Sequence, residues 1–234
     1  MSNLRCRDLY KNFGGTAALD GVSIDFPASG IVALVGTNGA GKSTLISVLG
    51  GQLEPDRGAC TFGGKGITGL APYRISRLGI TRSFQRVRLF WDMSVEENIL
   101  TAMSDSRARK HGARRVAELL DLVGLTDLVG ELPRELSYGQ QKLLAIACCV
   151  ATEARVFLLD EPVAGLDPAV SARILTALVN LRASGKVIVF AEHNLQAVRD
   201  VAERVVVLSK GKVLSQGSPN EVLDDPVVVE DLIG

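Results

Sequence analysis

Four short runs of uninterrupted apolar residues limit what this chain can become: "GIVALVG" from Gly30, "RVFLLDE" from Arg155, "KVIVFAEH" from Lys186 and "RVVVLSKG" from Arg204. Each is of strand length and rich in Val, Ile and Leu, as expected of parallel strands covered on both faces. Helical stretches lie between them, so the core is α/β. Three of the four runs end in residues that carry chemistry: a glycine-rich loop, an Asp-Glu pair and a histidine. Ligands of open α/β sheets gather at the carboxyl ends of the strands, so these residues are expected to reach one edge.

The flanks differ in pattern. Through about residue 30 the chain alternates short apolar and polar stretches ("NLRCRDLY", "LDGVSIDF"), which predicts antiparallel strands with an exposed edge. From about Pro72 to Glu153 helical stretches follow one another without an intervening buried strand, which predicts a helical subdomain inserted into the sheet. The end, "VVVLSKGKVLSQGSPNEVL", reads as a hairpin turning at Lys210-Gly211 followed by short helical pieces. There is no internal repeat and no low-complexity tract.

Composition excludes several function classes. The chain has 234 residues, 47% of them apolar, enough for a sizeable core in one compact unit. Lys plus Arg equal Asp plus Glu at 26 each, so no global field draws the chain to nucleic acid or an anionic lipid surface. The start, "MSNLRCRDLYK", is charged where a secretory signal is apolar, and no apolar run approaches the roughly 18 residues of a membrane span, so a cytoplasmic location is expected. Cys6, Cys60, Cys148 and Cys149 lack the Cys-x-x-Cys spacing and only two histidines accompany them. They read as reduced core residues, a redox role for the adjacent pair being the alternative.

The segment "GIVALVGTNGAGKSTLISVL" places Gly36, Gly41, Lys42 and Ser43 in the G-x-x-x-x-G-K-[ST] spacing, after a strand and before a helix. Glycines let the backbone wrap a phosphate, amides point inward, and the helix N-terminus adds partial positive charge. Lys42 is expected to reach the β and γ phosphates, and the Ser43 hydroxyl to ligate Mg²⁺, which takes hard oxygen donors. Asp160 and Glu161 end the second run, where Pro162 stops the strand. Asp160 is expected to hold Mg²⁺, and Glu161 to orient or deprotonate the attacking water. His193, just past the third run, and Gln85, in "TRSFQRVRLF", are candidate sensors of the γ-phosphate or of water.

A second glycine-bearing loop, "LSYGQQ" at 136–141, opens an amphipathic helix with Leu143, Ile146, Ala147 and Val150 on one stripe. Ser137 is placed to cap it, which by itself is an ordinary capped helix. A helix N-terminus bearing Ser and Gly is also an anion site, yet one nucleotide cannot easily use both such sites of one chain at once.

With these motifs in order, the chain resembles the ATP-binding cassette (ABC) ATPases along essentially its whole length. The matching stretches are Walker A "GTNGAGKST", the Gln85 loop, the signature "LSYGQ", Walker B "VFLLDE", the "AGLD" D-loop and the His193 switch. The resemblance implies a P-loop NTPase (RecA-like) α/β core with a mostly parallel sheet and an N-terminal antiparallel β subdomain, over 1–85 and 154–234. A helical signature subdomain is expected over 86–153. It implies two cassettes paired head to tail, the signature of one closing over ATP held by the other.

Carried over by position, Gly36, Asn38, Gly39, Ala40, Gly41, Lys42, Ser43 and Thr44 would hold the nucleotide, with Ser137, Gly139 and Gln140 contacting the γ-phosphate of the partner's ATP. Asp167 would couple the two sites and Gln85 would join Ser43 and Asp160 at Mg²⁺. Phe13 matches the aromatic that stacks on adenine, with Tyr10 close by. The implied partners are ATP and ADP, a second identical or paralogous ATPase subunit, an integral membrane permease on whose inner face the chain sits, and indirectly a solute-binding protein outside the membrane.

"RSFQRVRLFWDMSVEENIL" and "LSYGQQ" look most like ATPases of importers for branched-chain amino acids and related polar solutes such as urea. Exporter ATPases of the lipopolysaccharide type and soluble switch ATPases are the alternatives. The chain departs from the pattern in a short segment before the signature, in Cys148 where Arg is usual, and in Asn194 where Asp is common. Arg82, Arg86 and Arg88, beside Gln85, are expected at a permease interface, whereas Arg107 to Arg115 read as a solvated helix face.

Overall fold

The computed structural model describes residues 3–82, 89–103 and 112–233. Two sheets organise the chain. The first is antiparallel and ordered β2-β1-β4-β5, from β1 (Leu4–Phe13), β2 (Thr16–Asp25), β4 (Arg57–Phe62) and β5 (Lys65–Gly66). The second is ordered β10-β9-β3-β8-β7-β6, from β3 (Gly30–Val35), β6 (Ile80–Arg82), β7 (Val156–Asp160), β8 (Val187–Ala191), β9 (Arg204–Ser209) and β10 (Lys212–Gly217). All its pairings are parallel except β9 with β10.

The continuous apolar runs form these strands for the reason inferred from them. β3, β7 and β8 are buried at every position. Period-two geometry sends alternate residues to opposite faces, and two cores result. Ile31, Ala33, Phe157, Leu159, Ile188 and Phe190 point into one, and Val32, Leu34, Val156, Leu158, Val187 and Val189 into the other. The first core is shared with helices α3 (Val95–Ala102), α4 (Gly112–Val123), α5 (Tyr138–Ala151), α6 (Pro168–Ala183) and α7 (Leu195–Val201). The second is closed by α1 (Lys42–Leu49) and the antiparallel sheet, with α2 (Pro72–Leu78) beside it.

Two expectations need correction. The stretch from Pro72 to Glu153 does contain a strand: β6 pairs with β7 from Ile80↔Val156 to Arg82↔Leu158. Three residues are too few to show a period, and β6 gains its order from the neighbour it extends. The antiparallel sheet also reaches beyond residue 30, because β4 pairs with β1 from Leu4↔Phe62 to Tyr10↔Arg57. Its sequence, "RGACTF", shows little apolar alternation.

The C-terminal hairpin turns where expected, with Lys210 and Gly211 both at positive φ, 48° and 80°. That is the geometry whose twist suits two adjoining strands. Helices α8 (Pro219–Leu223) and α9 (Pro226–Ile233) follow, and Ser209 Oγ at the end of β9 donates to Asp231 of α9 at 2.5 Å.

Candidate functional site

The loop between β3 and α1 owes its shape to glycine. Gly41, the N-cap of α1, has φ 108°, and a Cβ there would stand 2.4 Å from the Ala18 carbonyl oxygen. At Gly36 a Cβ would meet the Leu208 carbonyl oxygen at 2.2 Å. Thr37, Asn38 and Gly39 form the exposed rim, while Ala40 is buried beneath them.

Lys42 is buried, and its Nζ donates to the carbonyls of Gly36 at 2.6 Å and Thr37 at 3.0 Å. Burial lowers its pKa, opposed by the nearby carboxylates of Glu161, Asp160 and Glu192. An ammonium held by two carbonyls on its own loop is a cation ready to exchange them for phosphate oxygens. Ser43 Oγ donates to Asp160 Oδ1 at 3.0 Å, which brings together the two oxygen groups expected at Mg²⁺. A hydroxyl and a buried carboxylate are the hard donors such a cation takes, so the residues fit it.

The second Asp160 oxygen lies 3.3 Å from Arg82 Nη2, and the other arm of that guanidinium donates to Ser47 Oγ and Gln52 Oε1, each at 3.0 Å. Arg82 therefore turns inward to the phosphate-loop helix, with 12% of its side chain exposed, and is not the surface docking residue expected from the sequence. Arg86, Arg88 and Arg107 lie outside the described residues, as does Gln85. Arg114 and Arg115 pair with Glu118 on the exposed face of α4, in line with the solvated face expected there.

Glu161 follows β7 in the left-handed region at φ 50°, a conformation that a non-glycine residue keeps only where its surroundings over-determine it. Its N–H donates to the Ala191 carbonyl at the end of β8. With His193, Leu195, Leu232 and the loop residues Val35, Gly36, Thr37 and Asn38, it lines a cavity of about 450 Å³. The structure thus brings the phosphate loop, Glu161 and His193 together at the carboxyl edge of the parallel strands.

Ser137, Gly139 and Gln140 do not line that cavity. They open α5 elsewhere, in a capping box: Ser137 Oγ accepts from the Gln140 N–H, and Gln140 Oε1 accepts from the Ser137 N–H. Ser137 is exposed and Gly139 is packed against Val170, whose Cγ1 would stand 3.0 Å from any Cβ. Asp167 caps α6, accepting from the amides of Ala169 and Val170. Phe13 is 49% exposed at the end of β1, whereas the Tyr10 ring packs over Gly21, so of these two Phe13 is the exposed aromatic.

Asn194 accepts from the Ala197 N–H as the cap of α7, a role that Asp would fill equally. Cys148 and Cys149 are free thiols packed against the helical core, and burial pushes both up to about 12.

The sequence matches the ABC transporter family profile over residues 19–164. It is 32% identical to the high-affinity branched-chain amino acid transport ATP-binding protein BraF of Pseudomonas aeruginosa, over 99% of this chain and 97% of that one. The chain belongs to the ABC transporter ATP-binding family. The cassette is accordingly an ATP-binding protein and an ATPase. It is also 33% identical to the probable branched-chain amino acid transport ATP-binding protein LivG of Archaeoglobus fulgidus, over 100% of this chain and 96% of that one. The ADP conformation of MJ1267, an ATP-binding cassette of an ABC transporter, superposes with a TM-score of 0.88 at 32% identity, covering 100% of this chain and 99% of that one. Among the described residues of the cassette, no helix is long and apolar enough to cross a membrane.

Three charged groups packed against these loops were not read from the sequence: Glu192, Lys142 and the inward-turned Arg82. Glu192 is fully buried directly before His193. Lys142 interrupts the buried arc of α5, and a cation inside an apolar stripe is a signal that could have exposed it.

Proposed function

We propose that the cassette is the ATP-hydrolysing subunit of an importer for branched-chain amino acids or a related polar solute. Two copies, or this chain and a paralogous ATPase, pair head to tail on the inner face of the membrane beneath an integral permease. A solute-binding protein delivers to that permease from outside. The observation that supports this reading best is the divided site: phosphate loop, Glu161 and His193 share one cavity, while the capped, exposed end of α5 bearing Ser137 lies outside it.

In this reading Lys42 and the loop amides from Gly36 to Thr44 hold the phosphates of ATP, Phe13 stacks on the base, and Ser137, Gly139 and Gln140 of the other copy close over the γ-phosphate. Glu161 takes a proton from water as the water oxygen bonds to the γ-phosphorus and the bond to the ADP oxygen breaks. His193 orients the reacting groups, and Asp167 couples the two sites. Ser43 and Asp160, with Gln85, would hold Mg²⁺, which when bound neutralises phosphate charge. Residues 1–85 and 154–234 then act as the catalytic core with its β subdomain, and 86–153 as the helical signature subdomain.

The test is affinity purification of the Glu161→Gln variant with ATP from detergent-solubilised cells of its source, followed by mass spectrometry. A polytopic permease with a solute-binding protein is the expected companion. Ribosomal or DNA-bound partners without a permease would overturn the transport reading.

A further inference from the structure

Glu161 hangs from a turn that two buried charges hold, one by its carbonyls and one by an amide. The first is Lys142 of α5, 9% exposed. Its Nζ donates to the carbonyls of Glu161 at 3.1 Å and Ala164 at 3.0 Å and lies 3.5 Å from that of Pro162. An ammonium has three protons, and three carbonyls of one turn receive them. The ring of Tyr138, one turn back on the helix, lies 5.4 Å from the same nitrogen.

The second is Glu192, fully buried, whose Oε1 accepts from the Val163 N–H at 3.0 Å and whose Oε2 accepts from the His193 N–H at 3.2 Å. Carbonyls of the turn thus face a cation and an amide of the turn faces an anion, so both its dipole ends are satisfied by charge. Burial lowers the pKa of Lys142, opposed by Glu192 and Glu161. A lysine kept where desolvation opposes its charge needs a compensating partner, and the carbonyls of the turn supply one.

We infer that Lys142 is a positioning residue for Glu161, fixing the carbonyl of a left-handed residue whose N–H is held by Ala191, and so ties the signature end of α5 to the water-activating turn of the same chain. The inference rests on the hydrolytic reading of Glu161 above. A misplacement of about 1 Å in a reacting group costs on the order of 10²-fold in rate. Lys142→Met keeps the stem and removes the donors, whereas Lys142→Arg keeps a donor cation.

The experiment uses the full chain, with steady-state ATPase, binding of a fluorescent ATP analogue, and hydrogen exchange of residues 161–166. For Lys142→Met, kcat is expected to fall about 10- to 100-fold with analogue affinity within about 2-fold. Exchange in 161–166 should rise, and Lys142→Arg should recover part of the rate. In the Glu161→Gln background the same substitution is expected to cost little further rate, because the group it positions is gone. An unchanged kcat or unchanged exchange in folded Lys142→Met, or an equal loss in the Glu161→Gln background, overturns the inference. Should Lys142→Met fail to fold, Lys142→Arg decides: rate and exchange in 161–166 that stay or move together support positioning, whereas a rate loss with wild-type exchange, or raised exchange at full wild-type kcat, refutes it. A wild-type chain without ATPase activity would instead count against the hydrolytic reading.

Discussion

Replacing Gly139 by Ala separates a glycine needed for packing from one needed by a ligand. Ala in a helix is favoured over Gly by about 0.5–1 kcal/mol. Against that, the new Cβ would sit 3.0 Å from Val170 Cγ1 and 3.2 Å from Cγ2, on the first turn of α6. Overpacking of this kind costs about 1–3 kcal/mol. The difference is a net destabilisation between about 0 and 2.5 kcal/mol, or a Tm lowered by no more than about 10 °C for a chain of this size. Val170→Ala removes both opposing methyls, so in that background Gly139→Ala should become neutral or slightly stabilising by urea denaturation. ATPase activity is expected to behave differently. If the α5 N-terminus must approach a phosphate of the partner's nucleotide, Gly139→Ala loses on the order of 10²-fold in kcat in both backgrounds, the scale of one lost transition-state donor. Recovery of ATPase together with stability in the double variant would reduce Gly139 to a packing residue and remove its support for paired sites.

Other substitutions probe neighbouring parts. Glu161→Gln should lower kcat by about 10²–10⁴, roughly 3–5.5 kcal/mol of barrier, and retain a dimer with ATP and Mg²⁺; light scattering that finds only monomer would contradict both the base and the pairing. Ser137→Ala breaks the capping box and should cost about 0.5–2 kcal/mol in denaturant unfolding, while Ser137→Asp recovers stability without recovering ATPase, since it sets a carboxylate against phosphate. Arg82→Met leaves the buried Asp160 without its guanidinium and should destabilise the nucleotide-free chain by about 3–5 kcal/mol; a loss below about 1 kcal/mol would mean the pair is solvated. Cys148 and Cys149, with thiols near 12, should resist iodoacetamide at pH 8 and alkylate on unfolding. Since the folded values lie above the ordinary 9.0, the native state binds these protons more tightly, and stability should fall as pH climbs past about 9.

The parts of this molecule legible in the sequence are those whose physics is local. A strand buried on both faces must be apolar throughout, so β3, β7 and β8 stood out, and their carboxyl ends located the phosphate loop, the Asp-Glu pair and His193. A helix cap is a contact over three residues, and Ser137 was readable for that reason. β6 was not, because three residues paired to a strand more than seventy positions later carry no period of their own. Arg82 misled for a related reason. Among other arginines it read as surface, and only the parallel pairing of β6 with β7 brings it against Asp160. Lys142 and Glu192 belong to a contact spanning three separated segments, and no pattern along the chain records that.

In the proposed pairing a cassette offers its signature to its partner and not to its own nucleotide. The capping box of α5 takes the Gln140 N–H for Ser137 Oγ, and among the described residues no hydrogen bond within the chain occupies the amides of Tyr138 or Gly139. A helix end that satisfies one first-turn donor and leaves two has residual affinity for an anion. Ser137 and Gly139 do not border the cavity that the phosphate loop shares with Glu161 and His193. In the proposed pairing a second copy would supply the anion. Closure would then complete two sites at once, and Lys142 would join each helix end that closes over a partner's phosphate to the turn proposed to activate water on its own side.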